Sequence, residues 1–91
     1  LPVRRVTAMN KVLVEIYIPV AEKCYDMFIP THLMMHEVLE MVCKLATQLS
    51  GGLFIADENT AICNRIDGTI LNINLSVNEL GLKNGSKLML I

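Results

Sequence analysis

Three cysteine thiols are the first candidates for chemistry in this 91-residue sequence. Cys24, Cys43 and Cys63 lie about twenty residues apart, and no Cys-x-x-Cys pair is present. A local zinc site or a dithiol redox motif needs closely spaced cysteines, so neither is predicted. Because free cysteine is among the most buried residue types, we expect three reduced, buried and inert thiols.

Two imidazoles are the second candidates. His32 and His36 are four residues apart and Glu40 continues the row, which is the spacing of side chains on one face of a helix. Such a face can hold a metal ion if further ligands converge on it. No further ligand is evident in the sequence, so the row is interpreted as a solvated helix face.

The acidic side chains give no catalytic pattern. Asp57, Glu58 and Asp67 could form an acid and base pair, but the sequence has no glycine-rich phosphate loop and no nucleophile with an evident base. We therefore predict no catalytic residue, no metal site and no cofactor, and a protein that is not an enzyme.

Composition indicates one domain with an aliphatic core. Hydrophobic residues make up 53% of the chain, aromatic residues only 4%, and methionine occurs six times. Residues 9–91 carry six Lys or Arg and nine Asp or Glu, a net charge of −3. This mildly acidic balance argues against nucleic-acid binding. No apolar run approaches the roughly 18 residues that cross a bilayer, so we expect a cytoplasmic protein without membrane insertion.

The first eight residues are set apart from the domain. Residues 1–8 (LPVRRVTA) precede a Met-Asn-Lys sequence that is typical of a natural start. We interpret residues 1–8 as a cloning remnant or a disordered leader, and predict that the domain spans residues 9–91.

Period-two and period-3.6 patterns alternate in the first half of the domain. Residues 11–19 and 24–29 are predicted strands of a hairpin, because β-branched and aromatic residues alternate with polar ones. Residues 33–49 then carry apolar side chains at helical spacing, with Thr31 or His32 as the expected N-cap and Ser50-Gly51-Gly52 as the stop.

Turn signals divide the second half. Strands are predicted at residues 61–64, 69–71 and 87–91, with Asp67-Gly68 and Asn84-Gly85 as turns and a capping box from Ser76 to Glu79. The order β-β-α-β-β-β, with the last strand beside the first, predicts an α+β fold. It is the ubiquitin-like β-grasp, a mixed sheet packed on one long helix.

Two parts of the sequence resemble known proteins. Residues 75–91 (LSVNELGLKNGSKLMLI) resemble the end of ubiquitin-like folds. Residues 9–19 (MNKVLVEIYIP) and 25–30 (YDMFIP) resemble the YukD/EsaB family, small ubiquitin-like proteins encoded with the type VII (ESX, WXG100) secretion apparatus of Gram-positive bacteria. The resemblance implies a non-enzymatic accessory or regulatory role, with protein partners among the secretion components.

Alternation also predicts an interaction surface. One face of the sheet should contact the helix through Val14, Ile16, Ile18, Tyr25, Met27, Ile29, Leu88 and Leu90. Five apolar side chains must then lie on the other face: Leu13, Tyr17, Phe28, Met89 and Ile91. We predict that this face binds a protein partner, with a homodimer contact or no role as the alternatives.

The alternative function is covalent. Sulfur carriers and protein modifiers of the ubiquitin-like fold react through a C-terminal Gly-Gly, whereas residues 87–91 read as a strand that ends at Ile91. The alternative therefore requires a Gly-Gly beyond Ile91, and we expect non-covalent recognition instead.

Overall fold

The computed structural model describes residues 10–91, so the predicted leader at residues 1–8 lies outside the described residues. Four strands and one helix follow in chain order: β1 (Lys11–Ile18), β2 (Lys23–Pro30), α1 (Met35–Leu49), β3 (Ile62–Asn64) and β4 (Lys87–Leu90). A single 3₁₀ turn, Pro19–Ala21, joins β1 to β2. The predicted hairpin, helix and final strand are confirmed.

The sheet has the order β2-β1-β4-β3. Strands β1 and β2 are antiparallel, β1 and β4 are parallel, and β4 and β3 are antiparallel. The Asn84-Gly85 turn fixes β4 beside β1, because Leu13 N–H donates to Asn84 Oδ1 over 2.7 Å and Gly85 N–H donates to Leu13 C=O over 2.8 Å. Gly85 has a φ of 90°, which favours glycine at this position. The predicted mixed sheet and the α+β fold are confirmed.

The strand predicted at residues 69–71 is wrong in extent. This segment forms one isolated bridge, Cys63 to Ile70, with hydrogen bonds from Asn64 N–H to Thr69 C=O and from Leu71 N–H to Ile62 C=O. Strand β3 has only three residues, so the chain that returns through the Asp67-Gly68 turn has little edge to pair with. Among residues 10–91 the sheet therefore has four strands, not five.

The core lies between the sheet and α1. The helix buries Met35, Val38, Val42 and Ala46, a single stripe at helical spacing. The other apolar residues of the buried core come from the sheet and the loops: Val14, Ile16, Ile18, Ile29, Phe54, Ile62, Val77, Leu88 and Leu90. The core-facing side of the sheet matches the prediction, except that Tyr25 and Met27 on the edge strand β2 are only half-buried.

Helix α1 begins at Met35, two residues later than the predicted start at residue 33. Met34 is the N-cap, and its N–H donates to the Glu37 side chain over 3.0 Å. The next two backbone N–H groups, at Met35 and His36, donate to carbonyls of residues 75 and 73 over 2.8 and 3.1 Å. Carbonyls of a distant loop thus satisfy the N–H groups that a side-chain cap would otherwise reach. In the described part of the chain, no helix is long and apolar enough to cross a membrane.

Candidate functional site

Four of the five predicted surface residues lie together on the sheet face that points away from α1. Leu13 is directly opposite Phe28 in the β1–β2 hairpin, and Tyr17 is directly opposite Met89 in the β1–β4 pair. Tyr17 and Met89 each lie between two buried residues of their own strands, whereas Leu13 and Phe28 have one buried neighbour each, Val14 and Ile29. Phe28 is 63% exposed, whereas the other three are half-buried. We call this surface the outer face.

A charged network lies at the centre of the outer face. Glu15 Oε1 lies 3.2 Å from Lys87 Nζ and 3.6 Å from an Arg65 guanidinium nitrogen. The Arg65 guanidinium lies 4.2 Å from the centre of the Tyr17 ring, and it also donates to Cys24 Sγ over 3.3 Å. A cation over an aromatic face is attracted by the ring quadrupole, so this contact fixes the orientation of both side chains.

The network divides the apolar residues of the outer face into two groups. Leu13 and Phe28 lie on one side of Glu15, toward β2. Met89 lies on the other side, where Cys63 is its cross-strand neighbour and Ile70 is bridged to Cys63. Cys63 is buried although it points to the outer face, because Met89 and Ile70 flank it. The predicted patch is therefore not continuous.

Arg65 and Ile70 belong to the outer face but were not predicted from the sequence. Arg65 directly follows the predicted strand 61–64 and Ile70 lies in the predicted strand 69–71, and their place depends on the return of the chain through the Asp67-Gly68 turn. The sequence signals for this arrangement were the turn and the short strands predicted on either side of it.

Ile91 lies apart from the other four predicted residues. It is half exposed at the end of β4, where its N–H and C=O pair with Ala61 over 2.9 Å each. It also lines an apolar groove of about 400 Å³ together with Pro19, Val20, Leu53, Phe54, Ile55 and Leu90. Ile55 is 78% exposed and Leu53 is 63% exposed. This end groove was not predicted, because residues 53–61 showed no clear strand or helix pattern.

The three thiols differ in exposure. Cys63 is buried as expected, whereas Cys43 is half-buried and Cys24 is exposed at the start of the edge strand β2. The expectation of three buried thiols is therefore wrong for Cys24 and holds only in part for Cys43. Burial raises the pKa of the Cys43 thiol above its ordinary value, which keeps this group protonated near neutral pH.

His36 and Glu40 lie on the exposed side of α1, but His32 lies in the turn before the helix, so the expectation of one helix face is wrong for His32. His36, Glu40 and Lys44 line a shallow surface groove of about 770 Å³, and Glu40 pairs with Lys44 at 3.8 Å. Between residues 10 and 91 no three His, Cys, Asp or Glu side chains form a group that could hold a metal ion.

Solved structures resemble about 90% of this chain. The ubiquitin-like domain of the type VII secretion protein EccD1 from Mycobacterium tuberculosis superimposes with a TM-score of 0.74 over 91% of this chain and 99% of that domain, at 17% sequence identity. The fold is a ubiquitin-like β-grasp. The EccD5 ubiquitin-like domain from Mycobacterium xenopi matches this β-grasp at 24% identity, with a TM-score of 0.66 over 90% of this chain and 93% of that one.

Larger assemblies contain a similar domain. A protomer of the ESX-3 core complex matches with a TM-score of 0.66 and 18% identity, over 90% of this chain and 16% of the longer one. No protein-family model and no curated protein matches the sequence. At these identities, the likeness demonstrates the β-grasp fold.

Proposed function

We propose that this β-grasp domain is a non-enzymatic protein-interaction module, and that it serves a type VII secretion system as an accessory or regulatory component in the cytoplasm. The observation that carries the proposal is the match to the EccD1 ubiquitin-like domain, which extends over almost the full length of both chains. The YukD/EsaB resemblance of residues 9–19 and 25–30 is consistent with it.

The outer face is the proposed binding surface. Tyr17 is held by the Arg65 guanidinium, so an approaching protein meets an aromatic ring that is already fixed in orientation. Preorganised aromatic side chains lose little entropy on binding and are frequent hot spots. Met89, which is flexible and polarizable, can adapt to the partner beside this ring.

Polar side chains at the centre of the face determine which partner fits. Lys87 and Arg65 both contact Glu15, and each keeps a third or more of its side chain exposed to solvent. A protein that covers Tyr17 and Met89 must therefore hydrogen-bond the remaining donors of Lys87 and Arg65, since a buried unpaired charge is costly. This requirement provides specificity, and the apolar contacts provide affinity.

A double variant tests the binding surface. Tyr17→Ser removes the aromatic anchor, and Met89→Gln makes the second anchor polar while it keeps enough bulk to cover Cys63. If Tyr17 and Met89 together contribute about 2 kcal/mol to binding, the double variant should bind type VII components roughly thirtyfold more weakly. Binding of the purified protein to the type VII ATPase and to the cytoplasmic domains of the membrane components is measured by calorimetry.

The control variant is Glu40→Gln with Lys44→Gln, on the exposed side of α1. It removes one positive and one negative charge and leaves the outer face intact, so binding should not change. Thermal melts establish that both variants fold. Unchanged binding and unchanged secretion in a folded Tyr17→Ser, Met89→Gln protein would reject the outer face, and loss of a dimer in light scattering would assign the face to self-association.

A further inference from the structure

Among residues 10–91, strand β2 is a free edge of the sheet. The strand order β2-β1-β4-β3 gives β2 one neighbour, β1, along all eight of its residues. The opposite edge is different, because β3 has three residues and is partly covered by the bridged segment at Ile70. In the part of the chain that the structure describes, the long exposed edge of this sheet is therefore the outer side of β2.

The hydrogen-bond register shows which backbone groups of β2 point outward. Thr31 N–H donates to Asn10 C=O over 3.0 Å, and these two residues are directly opposite each other in the register of the hairpin. In an antiparallel pair, hydrogen-bonded and non-bonded pairs alternate. Tyr25, Met27 and Ile29 are thus bonded to β1, and the residues between them direct their N–H and C=O groups away from it.

Strand β1 agrees with this assignment. Leu13 and Glu15, which face Phe28 and Asp26 across the hairpin, use their backbone groups on the other side, toward residues 85 and 86. The N–H and C=O groups of Cys24, Asp26 and Phe28 therefore form a row along the free edge. Within residues 10–91, none of these three N–H groups donates to another backbone carbonyl outside the sheet.

Charge marks one position in this row. Asp26 lies directly opposite Glu15, and like charges in opposite positions are unfavourable. Glu15 is compensated by Lys87 and Arg65, whereas Asp26 has no Lys, Arg or His nitrogen within 4.0 Å in the described part of the chain. Two residues further along, on the same face, the ring of Phe28 is 63% exposed.

We propose that β2 accepts an extended protein segment as an added antiparallel strand, with Lys or Arg opposite Asp26 and an apolar or aromatic residue opposite Phe28. The backbone of the segment pairs with Cys24, Asp26 and Phe28, in the manner of strand addition to an exposed sheet edge. Residues of the segment between these positions point toward the helix side, next to the half-buried Tyr25 and Met27. This inference does not depend on the proposed role in secretion.

A second copy of the protein is a poor occupant of the same edge. Antiparallel pairing of two β2 strands about their centre would bring two acidic side chains at position 26 close together. Charges on an edge strand discourage such self-pairing, whereas they attract a strand of opposite charge. The edge therefore favours a basic segment of another protein.

The probe is a blocked peptide that reads Phe-Val-Lys-Val-Ser between Gly-Ser flanks, titrated into the ¹⁵N-labelled full chain. In antiparallel register its Phe lies opposite Phe28 and its Lys opposite Asp26. We expect amide shifts that are largest at Cys24, Asp26 and Phe28, with slower hydrogen exchange at those sites. A peptide that is methylated on the backbone nitrogen of its Lys loses one hydrogen bond to the edge of β2 and should not bind.

Charge reversal tests the pairing at Asp26. A peptide with Glu in place of Lys should bind at least about fivefold more weakly, because an attractive exposed pair becomes repulsive. Asp26→Lys should reverse this preference and restore binding of the Glu peptide. Glu40→Lys has the same change in charge on the exposed side of α1 and should leave the preference unaltered.

Three results would overturn the proposal. They are the absence of shifts at these three amides with millimolar peptide, shifts centred on Tyr17 and Met89 instead, and equal binding of the N-methylated peptide. Because the probe is a synthetic peptide and the outer-face test uses secretion proteins, either hypothesis can fail without the other.

Discussion

The two faces of the sheet are built from the same four strands but are held in place by different interactions. Toward α1, β1 and β4 present only aliphatic side chains, and Val14, Ile16, Leu88 and Leu90 are each about 1% exposed. On the outer face, alternate residues of the same strands combine apolar groups with an ion-pair network around Glu15. The first face stabilises the fold through burial, which is non-directional, and the second is organised by directional contacts.

The largest effect on stability is expected for a charge placed on the buried side of α1, which packs on the core-facing side of the sheet. Val38→Asp places a charge at a position with 0% exposure, where none of the described residues contributes a buried cation, and should cost several kcal/mol or prevent folding. Circular dichroism and a thermal melt check the result. Glu40→Gln, two residues away and exposed, is the control; a Val38→Asp protein that melts like this control would contradict the assigned core.

Neighbouring residues of β1 give a second test of the same contrast. Ile16→Ala removes a fully buried side chain and should destabilise the protein by about 3 kcal/mol, whereas Tyr17→Ser on the outer face should cost roughly 1 kcal/mol or less. Urea denaturation of the two variants measures both values. Equal losses would mean that the outer face contributes to stability as much as the core does.

The Arg65–Tyr17 contact is a smaller effect. A double-mutant cycle with Arg65→Ala and Tyr17→Leu should give a coupling free energy of about 0.5–1 kcal/mol, as expected for a cation over an aromatic ring at a partly exposed site. Chemical denaturation of the wild type, the two single variants and the double variant measures this coupling free energy. A coupling of zero would show that the ring is not held by the guanidinium, and would remove one argument for a preorganised anchor.

The turn at Asp67 should give the smallest effect, visible only in acid. Hydrogen bonds from the Thr69 backbone N–H and side chain lower the pKa of the Asp67 carboxyl. A lowered pKa in the folded state means that the stabilising contribution is present above the unfolded pKa of about 3.9 and is lost as the pH falls through the folded value. An NMR titration of this carboxyl carbon measures the pKa, and a midpoint at or above the unfolded value would contradict the turn geometry.

The sequence predicted those parts of the fold that depend on local patterns. The period of α1, the alternation of β1 and the capping box are examples; Ser76 and Glu79 exchange the two expected hydrogen bonds at 2.9 and 3.0 Å. These features need only neighbouring residues, so a single sequence contains the necessary information.

The sequence did not predict features that depend on distant partners. The helix begins at Met35 because carbonyls of residues 73 and 75 receive its first N–H groups, in addition to the local bond from Met34 N–H to the Glu37 side chain. Arg65 reaches Tyr17 across β4, and the end groove combines residues 19–20 with residues 53–55 and the end of β4. No periodicity in the sequence reports these contacts.

The candidate site shows the same limit. Alternation placed Leu13, Tyr17, Phe28 and Met89 on the outer face and puts Glu15 and Lys87 on the same face, but it could not indicate that Arg65 joins the two in one network. It also placed Ile91 on the same face, although the end of β4 directs this residue to the end groove. Face assignment follows from the pleat, whereas continuity of a surface follows from tertiary contacts.

Hydrogen exchange of the wild-type protein tests the central claim, which is that the outer face meets the partner. Peptides from β1 and β4 that contain Tyr17 and Met89 should exchange more slowly when the type VII ATPase or the cytoplasmic domains of the membrane components are added, while α1 peptides that contain His36 and Glu40 should not change. Slower exchange confined to α1 or to the end groove, with none at Tyr17 and Met89, would contradict the account.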